Sequence, residues 1–133
     1  GITRKLLFIK YKRDANANLH NLMAPALRLS EMYYIAAECS FDTDPEMAWG
    51  YFNTVRFHRG IGTEIRNSND YELFISELIK EARKEFYGEG QIFYMYKRLN
   101  RDILAQSGGS IAARNQVFVW PMPDDEIVFG DRN

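Results

Sequence analysis

Glu81-Ala-Arg-Lys-Glu-Phe-Tyr-Gly-Glu-Gly-Gln-Ile-Phe-Tyr-Met-Tyr-Lys-Arg98 is the stretch that decides the fold. Apolar residues approach it from Tyr71 through Phe74, Ile75, Leu78, Ile79 and Ala82 and run on to Phe86. That is the i, i+3, i+4 spacing of one helical face. Gly88 and Gly90 then bracket Glu89. A glycine just past the last periodic residue ends a helix, because it adopts the left-handed conformation at little cost. Beyond the glycines, Phe93, Tyr94, Tyr96, Lys97 and Arg98 read as a second, aromatic-rich helix over about 89–102.

Upstream, the same logic gives a helix over about 26–41, with Leu29, Met32, Tyr33, Ala36 and Ala37 as one stripe. Tyr34, Ile35 and Cys39 add apolar character on other bearings, and Glu31 and Glu38 form a polar line. Asp42-Thr-Asp-Pro45 is a turn in which Asp44 caps the next helix and Pro45 takes its first position. That helix should reach about Arg59 with Ala48, Tyr51, Phe52 and Val55 inward, and Gly60-Ile-Gly62 ends it. Asn69 or Asp70 caps the helix that follows. The helices make two hairpins, 29–59 and 71–102, whose starts lie about 42 residues apart, as in stacked helical repeats. Short extended segments are expected near 6–11 (Leu6-Leu-Phe-Ile-Lys-Tyr11) and 117–120, the second inside Gln116-Val-Phe-Val-Trp120. Pro121-Met-Pro123 stops that run, and Asp124 to Ile127 makes a last turn. Arg13 to Asn21 and Gln106 to Ser110 read as loops. The fold class is therefore mainly α. Two helix pairs leave open end faces, so the chain is expected to belong to something larger.

The 133 residues suggest one domain, 1–133, with 46% hydrophobic and 26% charged residues, a globular composition. Seventeen basic and 18 acidic residues give a net charge of −1, which argues against an electrostatic nucleic-acid binder. A single cysteine, Cys39, excludes an intrachain disulfide. No apolar run approaches the roughly 18 residues of a membrane-spanning helix.

Searching for chemistry gives little. His20 and His58 have no metal-ligand spacing around them, and Asp42, Asp44 and Glu46 lack the glycine and distal glutamate of an EF-hand. Gly60-x-Gly62 has Ile65 where a dinucleotide fingerprint needs glycine. Cys39 lies within an apolar helix and reads as an inert core thiol rather than a partner for His58. No catalytic residue, metal or cofactor is expected, and the chain is not read as an enzyme. Ligand contact is expected on exposed rings instead. Trp49, off the Ala48-Phe52-Val55 stripe, is the first candidate and Trp120 the second. Helical spacing also places charges on apolar faces: Glu85 and Glu89 on the third helix, Arg59 and Arg56 on the second. Unpaired buried charges are very costly. At least one of the two carboxylates should therefore be buried against an arginine, with Arg59, Arg56 and Arg28 as partners in that order.

Several blocks, in order, resemble the SusD/RagB family. Arg28-Leu-Ser-Glu31 with Ala36-Ala-Glu38 is similar to R-L-x-E-x-Y-x-x-x-A-E. Asn53-x-Val-Arg56-x-x-Arg59-Gly60 resembles N-x-[VI]-R-x-R-x-G, with one extra residue between the arginines. Glu81-x-Arg83-x-Glu85-Phe86-x-x-Glu89-Gly90 resembles E-R-R-x-E-F-x-x-E-G. Lys97-Arg98 and the closing Pro121-x-Pro123-x-x-Glu126 follow. Ile92 and Met95 depart from the Arg and Asp frequent in the family. The resemblance implies tetratricopeptide-like antiparallel helix pairs, here the C-terminal helical part of a longer protein. It implies a surface-exposed outer-membrane lipoprotein, held to the membrane by a lipid anchor outside this chain. Such a protein binds oligosaccharide without catalysis and partners a SusC-like TonB-dependent transporter. Glu38, Arg56, Arg59, Glu85 and Glu89 are motif residues with an expected structural role. The alternative is a helical-repeat protein-interaction module without a sugar ligand.

Overall fold

The structure, a computed structural model, describes residues 27–65, 68–105 and 108–130. The expected extended run at 6–11 lies outside them. The described chain is mainly helical. Helix α1 is Leu29–Ser40, α2 Pro45–His58, α3 Tyr71–Glu85 and α4 Gln91–Leu99. A two-residue antiparallel ladder follows, Ile103–Leu104 (β1) with Ser110–Ile111 (β2), and then two short helices, α5 Asn115–Phe118 and α6 Asp124–Phe129.

Local chemistry sets these limits. The Asp44 side chain accepts from the Met47 amide at 2.9 Å, with Pro45 next to it at the first helical position. Asp70 does the same for α3, accepting from Leu73 at 3.1 Å. Each cap satisfies one of the amides a helix start leaves unpaired. Gly60 and Gly88 stand at φ +81 and +77, where an L side chain is strained, and they end the two longest helices. Helix α4 starts two residues later than expected and ends at Asn100, itself left-handed.

The core is one cluster drawn from α1, α2, α3, Phe86, Tyr96 and Phe118. Phe52, Phe74, Ile75 and Leu78 are fully buried at its centre. Phe41 and Phe74 lie with ring centroids 4.5 Å apart, and Trp49 meets Phe74 edge-on at 5.1 Å. Such ring pairs add about 0.5–1.5 kcal/mol each beyond the area they bury.

Four expectations fail here. The buried line of α1 is Ser30, Tyr34, Ala37 and Phe41, whereas Leu29 and Met32 are exposed. The helix is apolar on several bearings, so its own pattern does not say which side α2 and α3 will cover. Cys39 is exposed and not a core thiol, for the same reason. Trp49 is only 2% exposed, because α3 arrives on the side of α2 next to the Ala48-Phe52-Val55 stripe. The run before Trp120 is not a strand. Val119 donates to the Asn115 carbonyl at 2.8 Å, closing a helical turn, and only Phe118 enters the core. With Pro121 and Pro123 following, the segment lacks the donors a ladder needs. Conversely, part of the expected loop at 106–110 pairs with β1, aided by the left-handed Gly108.

Candidate functional site

Two kinds of polar arrangement stand out: an ion network built on buried carboxylates between the helices, and open grooves with exposed rings. The network is built on α3. Its last two turns place Glu81 and Glu85 four residues apart and therefore on one face, toward α1 and α2. The Glu85 side chain is 9% exposed. It accepts from the Ser30 hydroxyl at 2.9 Å and from Arg59, the first-named candidate, while Arg28 Nη1 lies at 3.5 Å. Arg28 Nη2 sits 2.6 Å from Glu89. Glu81 is buried too, with Lys84 Nζ at 2.7 Å and Arg56 Nε at 3.7 Å. The Arg56 guanidinium lies 5.6 Å from the Phe52 ring centroid. Glu38 of α1 takes a two-pronged contact from Arg98 of α4.

The electrostatics follow from these contacts. Burial alone would raise the Glu85 carboxyl, but the bonds from Ser30 and Arg59 and the charges of Arg59 and Arg28 outweigh it, and its pKa falls below the ordinary 4.5. Burial pushes the Tyr34 phenol well above its ordinary range, with Glu85 and Glu81 adding to the effect. A carboxylate held ionised against guanidinium groups has no proton to give near neutral pH. The network joins α1, α2 and α3, and the Glu38–Arg98 fork ties α4 to α1. Among the described residues no cluster of His, Cys, Asp and Glu could hold a metal ion.

Two fasteners went unread in the sequence. The Asn53 carboxamide donates to the Ile65 carbonyl and accepts from the Ile65 amide, both at 3.1 Å. It thus copies a strand-type pair and straps the α2–α3 connection to α2. The Trp49 indole N–H donates to the Ser68 carbonyl at 2.9 Å, a second tie to the same connection. A carboxamide can do this from any solvent-facing position, so spacing alone gives no signal for it.

Two open grooves border the ion pairs. One, of about 500 Å³, runs between α1 and α4, bordered by Ile35, Tyr94 and Met95 with Glu31, Gln91, Lys97 and the Glu38–Arg98 pair. The Tyr94 ring there is 63% exposed. Another, of about 780 Å³, is lined by Arg28, Arg59, Lys80, Arg83 and Lys84 with Glu77, Glu85 and Tyr87, so the outer side of the ion network forms part of its wall. Of the two tryptophans expected to meet a ligand, Trp120 is 77% exposed, while Trp49 presents no open face.

The SusD family model matches residues 4–128, nearly the whole sequence, and the chain belongs to that family. No curated protein and no solved structure matches it. Of the residues in the blocks that carry the resemblance, Arg28, Glu38, Arg56, Arg59, Glu81, Glu85, Glu89 and Arg98 take part in the ion pairs described above. Family members are nutrient-binding, non-catalytic proteins associated with the outer membrane as lipoproteins. Among the described residues no helix is long and apolar enough to cross a membrane.

Proposed function

We propose that this chain is the C-terminal helical part of a longer protein that captures oligosaccharide at the outer membrane and hands it to a SusC-like TonB-dependent transporter, without catalysis. Family membership carries the reading. The helix pairs serve as scaffold, and their motif residues Glu38, Arg56, Arg59, Glu85 and Glu89 are spent on one another or on neighbouring polar groups rather than on a ligand. Sugar contact falls to exposed rings. Tyr94 beside the α1–α4 groove is the first choice, because a pyranose offers its C–H face to a ring and its hydroxyls to planar side chains such as Gln91 and Glu31. Trp120 is the second, on its exposure.

The test is affinity electrophoresis of the full-length protein against a panel of neutral and acidic polysaccharides. Loss of one stacking ring in Tyr94→Ala should weaken retention about 3- to 10-fold at unchanged stability. Binding by the wild type that is indifferent to both Tyr94→Ala and Trp120→Ala would place the sugar on other parts of the protein. Absence of any retained polysaccharide favours the protein-interaction reading.

A further inference from the structure

The groove of about 780 Å³ beside α3 carries an excess of positive charge, in a chain whose net charge is −1. Five cations line it against two carboxylates, Glu77 and Glu85. Glu85 is itself shared by Arg28 and Arg59. The charges just behind the wall, Arg56, Glu81 and Glu89, do not cancel the excess, since six cations then meet four carboxylates. Lys80, Arg83 and Lys84 are spaced i, i+3, i+4 and so fall on one face of α3. Lys80 and Lys84 each hold a glutamate three residues back, yet both keep more than half of the side chain exposed. Arg83, half-buried in the same wall, makes no ion pair or hydrogen bond among the described residues.

We infer that this groove is a subsite for an acidic unit of an oligosaccharide, one bearing a carboxylate or a sulfate ester, with Arg83 as its anchor and Lys80 and Lys84 at its sides. The inference rests on the reading of the protein as an oligosaccharide binder. A cleft lined by one sign of charge concentrates ligands of the opposite sign. The planar guanidinium of Arg83 can meet two oxygens of such a group at once, and these bonds are stronger than those between neutral groups. Tyr87, half exposed at the same wall, suits the C–H face of a pyranose. The volume falls within the roughly 300–1,000 Å³ of small-ligand sites. The glutamates keep their place in the ion network, and the ligand meets only the surplus cations.

Affinity electrophoresis of the full-length protein tests this with matched polymers: polygalacturonate against its methyl-esterified form, and dextran sulfate against dextran. The wild type should be retained more strongly by the acidic member of at least one pair, and added salt should shrink that preference. Arg83→Gln should weaken retention by the acidic polymer about tenfold, the scale of a lost charge-assisted hydrogen bond, and leave the neutral one unchanged. Arg83→Lys should recover part of the loss. Lys80→Gln should cost about 2- to 5-fold. Arg114→Gln, which removes an exposed cation outside the groove, should cost nothing. Equal losses in Arg83→Gln and Arg114→Gln would reduce the effect to net charge and overturn the inference. Retention by acidic polymers that both Arg83→Gln and Lys80→Gln leave intact would overturn it too. Retention by neutral polymers alone removes the subsite and leaves oligosaccharide capture standing, whereas retention by no polysaccharide removes both.

Discussion

Residues 29–86 and residues 115–129 are both rich in large apolar side chains, yet they end in opposite environments. In the first region Trp49, Phe52, Phe74, Ile75 and Leu78 are fully enclosed and even Glu81 and Glu85 are drawn inside. In the second, Phe118 alone enters the core, and Trp120, Met122, Ile127, Val128 and Phe129 face outward. Hydrophobicity is similar in the two; what differs is the supply of facing surfaces. Each helix of the first region has a neighbour with a matching apolar side, and short capped turns hold the neighbours together. Prolines and very short helices deny the second region such internal partners, so its apolar side chains stay on the surface.

Truncation inside the first region should have the largest effect. Trp49→Ala removes a buried ring and the tie to Ser68, and is expected to cost about 3–5 kcal/mol in denaturant titration. A loss below about 1 kcal/mol would mean that Trp49 is as open as Trp120 and would dissolve the contrast.

Acid comes next. Glu85 has a folded pKa below its unfolded value, so its contribution is present above the ordinary carboxylate pKa and disappears as pH falls through and below 4.5. Stability should therefore decline over that window more steeply in the wild type than in Glu85→Gln. Parallel acid profiles for the two proteins would place the carboxylate in solvent.

The smallest effect belongs to the second region. Trp120→Ala should change stability by no more than about 0.5 kcal/mol, because a 77% exposed ring loses little burial. A loss of several kcal/mol would show Trp120 to be part of a core.

The same contrast explains what could be read from the sequence. All four main helices were legible, because Asp44, Pro45, Asp70, Gly60 and Gly88 act locally and the α3 stripe has a single apolar face. The pairing of Glu85 with Arg59 was legible too, since charges on apolar faces must meet. Helix α1 was misread at Leu29, Met32 and Cys39 because several of its faces are apolar and only its neighbours choose among them. Trp49 was misread because its burial depends on where the second hairpin docks, a long-range fact. The turn of helix at Asn115–Phe118 was taken for a strand because a four-residue apolar run carries no period. Tyr94 drew notice only as one ring of an aromatic helix, since its exposure depends on how α4 sits against α1. Glu81 is read from the sequence only as part of a motif block and not as a buried carboxylate, although it lies one turn before Glu85.

The central claim is that the motif carboxylates hold the hairpins together and bind no ligand. Glu85→Gln in the full-length protein tests it in one experiment, by denaturant titration alongside polysaccharide affinity. Neutralising Glu85, whose side chain is 9% exposed, weakens the contacts that Ser30, Arg59 and Arg28 make with it, so stability should fall by about 1.5–3 kcal/mol while affinity of the folded protein stays the same. A loss below about 1 kcal/mol accompanied by weaker sugar binding would contradict the account and move Glu85 from scaffold to binding site.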